Sequence, residues 1–170
     1  NAMVLGISPQ FTDYYMHAEM LGIEYAPYQL KKEHNYKFDS YEFMSMHYIA
    51  KTYVSASEEE KLYNFIYIDN PNNPTGALYS REILMEVADL ARKKGLLVFS
   101  DEIYDRLVFD GKKHTSTASL AEDLVVITMN GLSKSHIICG FRCGWMVVSG
   151  AKESAKDFIA GLVQLSAMRL

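Results

Sequence analysis

Short runs of β-branched and aromatic residues alternate along this chain with longer segments in which apolar residues recur every three or four positions. That is the pattern of strands joined by crossover helices. The runs Val4 to Ile7, Ile23 to Tyr28, Phe65 to Asp69, Leu96 to Ser100, Val125 to Thr128 and Trp145 to Val148 predict strands. From Ser80 to Lys94 the apolar positions Ile83, Leu84, Val87, Leu90 and Ala91 form one helical stripe, with Ser80 placed to cap it and Gly95 to stop it. Asp157 to Leu170 repeats the stripe through Phe158, Ile159, Leu162, Val163 and Leu165, without a capping signal at its far end, as expected of a helix cut short. The polar stretch from Lys31 to Glu60 reads as a connection holding one helix near Tyr41 to Ala50. No repeat, low-complexity tract or composition shift marks a linker. The expected fold class is α/β, a mostly parallel sheet with helices on both faces.

In such a sheet, ligands gather just outside the carboxyl ends of the strands. Predicted strand ends deliver polar residues to that rim. The run NPNNPTG, Asn70 to Gly76, follows the strand ending at Asp69; Asp101 of the run SDEIYD follows the strand ending at Ser100; and Asn130 to Lys134 follows the strand ending at Thr128. A single polar strand end makes a turn and little else, but three in succession carry different chemistry. Lys134 offers an amine able to form a Schiff base, Arg142 a planar cation suited to a phosphate, Asp101 a carboxylate, Tyr104 a phenol and Asn73 an amide. These are the groups that would hold pyridoxal phosphate. Taken one at a time they leave plainer readings open. Lys134 could be a solvated surface group, although its flanks Leu132, Ile137, Ile138 and Phe141 predict a buried setting in which an unpaired ammonium is costly. Asp101 could cap a following helix, Tyr104 and Phe11 could be core aromatics, and Arg142 could form a surface ion pair. Tyr104 lies one helical turn beyond Asp101, which predicts that both share a face.

Composition narrows the alternatives. The chain has 170 residues, 49% of them hydrophobic, enough for one ordinary core. A net charge of −4, with basic residues dispersed, leaves no footprint for nucleic acid or an acidic membrane. No apolar run approaches the roughly 20 residues of a membrane span, and the N-terminal stretch lacks the regions of a signal peptide. Cys139 and Cys143 have no second pair or histidine cluster, so neither a disulfide framework nor a metal site is expected; both are expected to pack as small buried hydrophobes. A cytoplasmic location follows. Residues 1–3, Asn-Ala-Met, read as a tag scar, leaving 4–170 as the domain. The adjacent Asp101 and Glu102 do not make a hydrolase pair, because sequence neighbours rarely converge on one bond. Gly131 to Ser135 is not a nucleophile elbow, and His136 is expected to point away from Lys134.

The combination of NPNNPTG, SDEIYD and GLSK with FRCGW resembles the class I and II aminotransferases, pyridoxal phosphate enzymes of fold type I, in their glutamate–pyruvate (alanine) branch. The resemblance runs from about Val4 to Leu170 and implies a partial large domain. It implies that the N-terminal arm with the first strand and phosphate loop is absent, as is the C-terminal small domain. It further implies that Lys134 carries the cofactor as a Schiff base and then shuttles a proton, and that Asp101 pairs with the pyridine nitrogen. Tyr104 and Asn73 would reach the ring's phenolic oxygen, Arg142 and Ser133 the phosphate, and Phe11 the ring face. Asn72, Pro74 and Gly76 would shape the loop. Many relatives carry Ser or Thr where this chain has Gly131, which leaves the phosphate site lean. The implied activity is amino transfer between an amino acid such as alanine and a 2-oxo acid. The alternatives are a non-catalytic domain acting in cofactor binding or oligomerisation, and a lyase or decarboxylase. Related lyases tend to carry His where this chain has Asn72. If a first strand is missing, the strand Trp145 to Val148 lies at an open edge, which favours a homodimer.

Overall fold

The computed structural model describes residues 3–35, 38–39, 42–43 and 65–168. The strands are β1 (Met3–Ser8), β2 (Glu24–Gln29), β3 (Phe65–Asp69), β4 (Leu97–Asp101), β5 (Val126–Gly131) and β6 (Gly144–Ser149). They form one 6-stranded sheet in the order β2-β1-β3-β4-β5-β6. The pairs from β2 to β5 are parallel and β6 joins β5 antiparallel. The sheet is therefore mostly parallel, as the pattern predicts, and each expected strand is present, Phe65 to Asp69 with the expected bounds and the others with bounds moved by one to three residues. The antiparallel direction of β6 was not legible in the run Trp145 to Val148. The segment joining β5 to β6, residues 132–143, holds only a four-residue helical turn and a three-residue 3-10 turn, and so no crossover helix to carry the chain over a sheet face and return it parallel.

Helices fully within the described residues accompany the sheet: α1 (Asp13–Met20), α2 (Arg81–Lys94), α3 (Leu132–Ser135) and α4 (Lys156–Ala167). In α2 the Ser80 side chain accepts from the Ile83 amide, and Gly95 ends the helix at φ 66°, a left-handed conformation that suits glycine. Leu84, Val87, Ala88, Leu90 and Ala91 are its buried stripe. They pack on Leu5, Ile7, Ile66, Ile68 and Val98, which alternate along β1, β3 and β4 and so share one face of the sheet. The alternate residues Val4, Phe65, Tyr67 and Phe99 face α1, where Ala18 is the buried helix residue. Helices thus lie on both faces, as right-handed crossovers require when the chain leaves β1 toward one edge and β3 toward the other. The helix α4 is three residues shorter at its far end than the pattern predicts and buries none of its side chains. The helix expected near Tyr41 to Ala50 falls outside the described residues except for Glu42 and Phe43, which are helical.

Stability rests on the α2 face. We expect Leu84→Ala, which empties a fully buried site, to lower unfolding free energy by about 2–5 kcal/mol. Met85→Ala, at a position 45% exposed, is expected to cost much less, under roughly 1 kcal/mol. Urea denaturation of the two variants beside the parent chain checks the contrast; equal losses would show that α2 does not seat as described.

Candidate cofactor site

The order of the strands reverses at β1 and β3, and ligands of parallel sheets bind at such a switch point, outside the carboxyl ends. A cavity of ≈ 370 Å³ lies there. Phe11 reaches it from the turn between β1 and α1, and Asn73 from the loop after β3. Asp101 and Tyr104 come from the end of β4, and Ser133, Lys134 and Arg142 from the segment joining β5 to β6. Every site residue expected from the sequence therefore lines the same space. Asp13, Tyr14, Asp69, Ile103 and Cys139 line it too, and none of these was expected there from the sequence.

Strand register explains the first wall. Asp69 and Asp101 are paired positions at the ends of β3 and β4, so both side chains emerge on the α1 face. Asp101 Oδ2 accepts a hydrogen bond from the Tyr14 hydroxyl and one from the Tyr67 hydroxyl at 3.3 Å, while Oδ1 accepts from the Ile103 amide at 3.0 Å. That last bond is the one a helix cap would make, yet residues 103–106 form turns and no helix follows. Tyr104 consequently shares the cavity with Asp101 through a turn rather than through helical spacing. The rings of Tyr14 and Tyr67 lie 3.9 Å apart. Burial first, and the Asp101 carboxylate next, hold both phenols far above their ordinary pKa, so both remain donors.

The NPNNPTG loop hangs from Asp69. The Asn72 amide nitrogen donates to Asp69 Oδ1 at 2.7 Å and to the Pro9 carbonyl at 3.1 Å, and the Asn73 backbone N–H donates to Asp69 Oδ2 at 3.0 Å. Asn72 also accepts from the Thr75 amide at 3.2 Å. Asn72 is buried and shapes the loop, while Asn73 is turned to the cavity. Asp69 itself is 4% exposed. Burial pushes its carboxyl up to about 6, partly offset by the Asn73 and Asn72 hydrogen bonds and raised further by Asp101.

The opposite wall begins at Gly131, where β5 runs into the single turn α3. The Leu132 amide donates to the Cys143 carbonyl at 3.0 Å, closing the segment onto the start of β6. A Cβ on residue 131 would stand 2.8 Å from that carbonyl oxygen, so the backbones approach in a way that only glycine permits. The absence of a hydroxyl at this position is thus a packing requirement. Lys134 Nζ sits 5.8 Å from the centroid of the Tyr104 ring, within cation–π range. Arg142 adopts a left-handed φ of 51°, and its Nη1 donates to the Cys139 carbonyl at 2.9 Å. Two expectations need correction here, and one alternative reading, a core Phe11, is set aside. Lys134 is exposed rather than enclosed by its apolar flanks, because Ile137 and Phe141 are 87% and 79% exposed and cover nothing. Cys139 and Cys143 are both exposed free thiols rather than buried hydrophobes. Phe11 is not core, being 42% exposed at the cavity. His136 lies outside the cavity lining and contacts the Ser135 hydroxyl at 2.8 Å.

The family of class I and II aminotransferases matches residues 2–167 of this chain. The chain belongs to that family. Over 105 residues it is 55% identical to the glutamate–pyruvate aminotransferase AlaA of Escherichia coli, a match covering 62% of this chain and 26% of AlaA. It is 32% identical over 159 residues to the S-alkyl-thiohydroximate lyase of Arabidopsis thaliana, covering 92% of this chain and 32% of the lyase. Among solved structures, an aminotransferase from Escherichia coli superimposes with a TM-score of 0.85 at 36% identity, covering 99% of this chain and 39% of that one. The chain therefore spans about a quarter to two fifths of the length of these relatives, and the fold is that of the large domain of fold type I aminotransferases.

The glycine argument can be checked directly. Gly131→Ala is expected to cost about 1–3 kcal/mol through overpacking against the Cys143 carbonyl. Gly140→Ala, where nothing lies within 4 Å of the added methyl, is expected to be neutral or slightly stabilising. Thermal denaturation of both variants reads the difference, and equal melting temperatures would show that the approach at Gly131 relaxes freely.

Proposed function

We propose that the cavity binds pyridoxal 5'-phosphate and that the whole protein of which this chain is part transfers an amino group between an amino acid, alanine first, and a 2-oxo acid. One observation carries the reading: Lys134, Asp101, Tyr104, Asn73, Ser133, Arg142 and Phe11, supplied by separate strand ends, line a single space. The donor set suits the group. Asp101 offers a carboxylate held by phenolic donors for a protonated ring nitrogen, Arg142 and Ser133 offer phosphate ligands, Asn73 and Tyr104 offer donors for a ring oxygen, Phe11 offers an aromatic face, and Lys134 offers a solvent-reachable amine. When bound, the cofactor supplies an electron sink for a carbanion at the substrate's Cα. Lys134 is the catalytic residue in this reading, holding the cofactor at rest and moving the Cα proton once displaced.

Alanine as amino donor is supported by the likeness to AlaA. A lyase is the second reading, supported by the likeness to the Arabidopsis enzyme over most of the chain. The two reactions are separated by whether a 2-oxo acid acceptor is required for turnover. Association as a homodimer is supported by β6, which lies at the sheet edge with Trp145, Met146 and Val147 about half exposed. A cytoplasmic setting is supported by the two exposed free thiols; no helix among the described residues is long and apolar enough to cross a membrane.

Titration of the purified chain with pyridoxal phosphate, followed by borohydride reduction and peptide mapping, is the test. Label on Lys134 that disappears in Lys134→Ala is the expected outcome. Stable label elsewhere, or no visible absorbance of bound cofactor, would remove the cofactor reading.

A further inference from the structure

We propose that Asp69 is a positioning residue of the cofactor site, which holds Asn73 in place through its carboxylate and couples cofactor binding to release of one proton. The inference rests on the reading of the cavity as a pyridoxal phosphate site.

The geometry sets Asp69 apart from an ordinary loop anchor. It is 4% exposed, lines the cavity and uses both oxygens on the NPNNPTG loop, one on the Asn72 side chain and one on the Asn73 backbone. It is also the parallel-strand partner of Asp101. Two carboxyl groups therefore stand side by side at the rim of the sheet, and among the described residues no cation pairs with Asp69. Every other titratable group near it is accounted for. Tyr14 from α1, Tyr25 from β2, Tyr67 from β3 and Tyr79 beyond the loop are phenols driven upward, so they stay neutral through the range that matters. Among the described residues that line the cavity, the charged groups are Asp101 beside it and Asp13, Lys134 and Arg142 around it.

In the free site Asp69 gains its proton near pH 6, because burial and the neighbouring carboxylate disfavour a second negative charge. A protonated ring nitrogen held by Asp101 would bring a positive charge to the same rim. That charge favours ionised Asp69, and the ionised form is also the stronger acceptor for the Asn73 amide. Binding therefore releases the proton to solvent at pH values below about 6 and releases none well above it. The sign follows by linkage: affinity for the cofactor rises with pH up to about 6 and then levels. Proton exchange by the cofactor itself is common to both chains and cancels in the ratio of parent to a variant that changes Asp69 alone.

The experiment is an equilibrium titration of the chain and of Asp69→Asn with pyridoxal phosphate between pH 5 and 8, read by visible absorbance. The ratio of parent to variant affinity is expected to rise roughly tenfold from pH 5 to pH 7 and then flatten, the response of one linked proton. A ratio that stays flat while both chains bind overturns this inference and leaves the cofactor reading standing. Failure of the parent chain to bind at any pH overturns both. If Asp69→Asn does not fold, hydrogen exchange of the Asn73 amide in the parent chain serves instead. Cofactor is expected to add more protection at pH 5.5 than at pH 7.5, and an equal gain at the two pH values overturns the proposal.

Discussion

The parallel pairing of β3 with β4, from Phe65 opposite Leu97 to Asp69 opposite Asp101, is the constraint on which the rest of the structure depends. Side chains alternate along a strand, so this register sends Ile66, Ile68 and Val98 to the core under α2 and sends Tyr67, Asp69 and Asp101 to the cavity side. A slip of one residue would exchange those sets, burying two carboxylates among Leu84, Val87 and Ala91 and exposing the core isoleucines. The hydrophobic burial on one face therefore enforces the polar arrangement on the other. The same register brings the Tyr67 hydroxyl within reach of Asp101 and gives the NPNNPTG loop its anchor in Asp69.

The helix α1 shows how the two faces differ. On the core side, α2 is held by a full stripe of buried apolar residues, whereas α1 buries only Ala18. A space of ≈ 300 Å³ lies between α1 and the sheet, lined by Val4, Phe65 and Phe99 among others. What ties α1 down at its cavity end is Tyr14, packed at a tilt against Tyr67 and bonded to Asp101. The cavity wall is thus seated by a few polar and aromatic contacts on a face that is loosely filled, while the opposite face supplies the rigidity. A site that must admit a ligand is better placed on the first kind of surface than on the second.

Much of this was legible from residue patterns. Strand period, the Ser80 and Gly95 punctuation of α2 and the clustering of polar residues after strands were all visible, because each is a local consequence of backbone geometry. Residue chemistry at strand ends pointed to Asn73, Asp101, Tyr104, Lys134 and Arg142, the family resemblance added Phe11 and Ser133, and each of them lines the cavity. The helix α1 escaped notice because DYYMHAEM has no segregated apolar stripe. Asp69 and Tyr67 escaped because a strand reading of FIYID treats them as filler, and their place beside Asp101 depends on a neighbour 32 or more positions away. Burial of Lys134 and of the cysteines was misjudged for a related reason. An apolar composition between β5 and β6 predicts burial only if something packs upon it, and in this chain Ile137 and Phe141 project outward.

Three carboxyl groups near the ends of β3 and β4 resolve the cost of burial in different ways. Glu102 is turned away from the cavity, where its Oε1 accepts from the Ser100 and Ser116 hydroxyls, each at 3.0 Å, and from the Thr117 amide at 3.1 Å. Its immediate neighbour Asp101 faces the opposite way and accepts from two phenols and one amide. This divergence is why adjacent carboxylates here do not form a paired acid–base site. Asp69, although as buried as Glu102, receives only amide donors, and it lies beside another carboxyl group. The positive charges that would balance it, Lys134 and Arg142, stand on the far wall of the cavity. Negative charge on one wall and cations on the other leave a space whose polarity suits an amphoteric ligand, one with a cationic part for the carboxylates and an anionic part for the arginine.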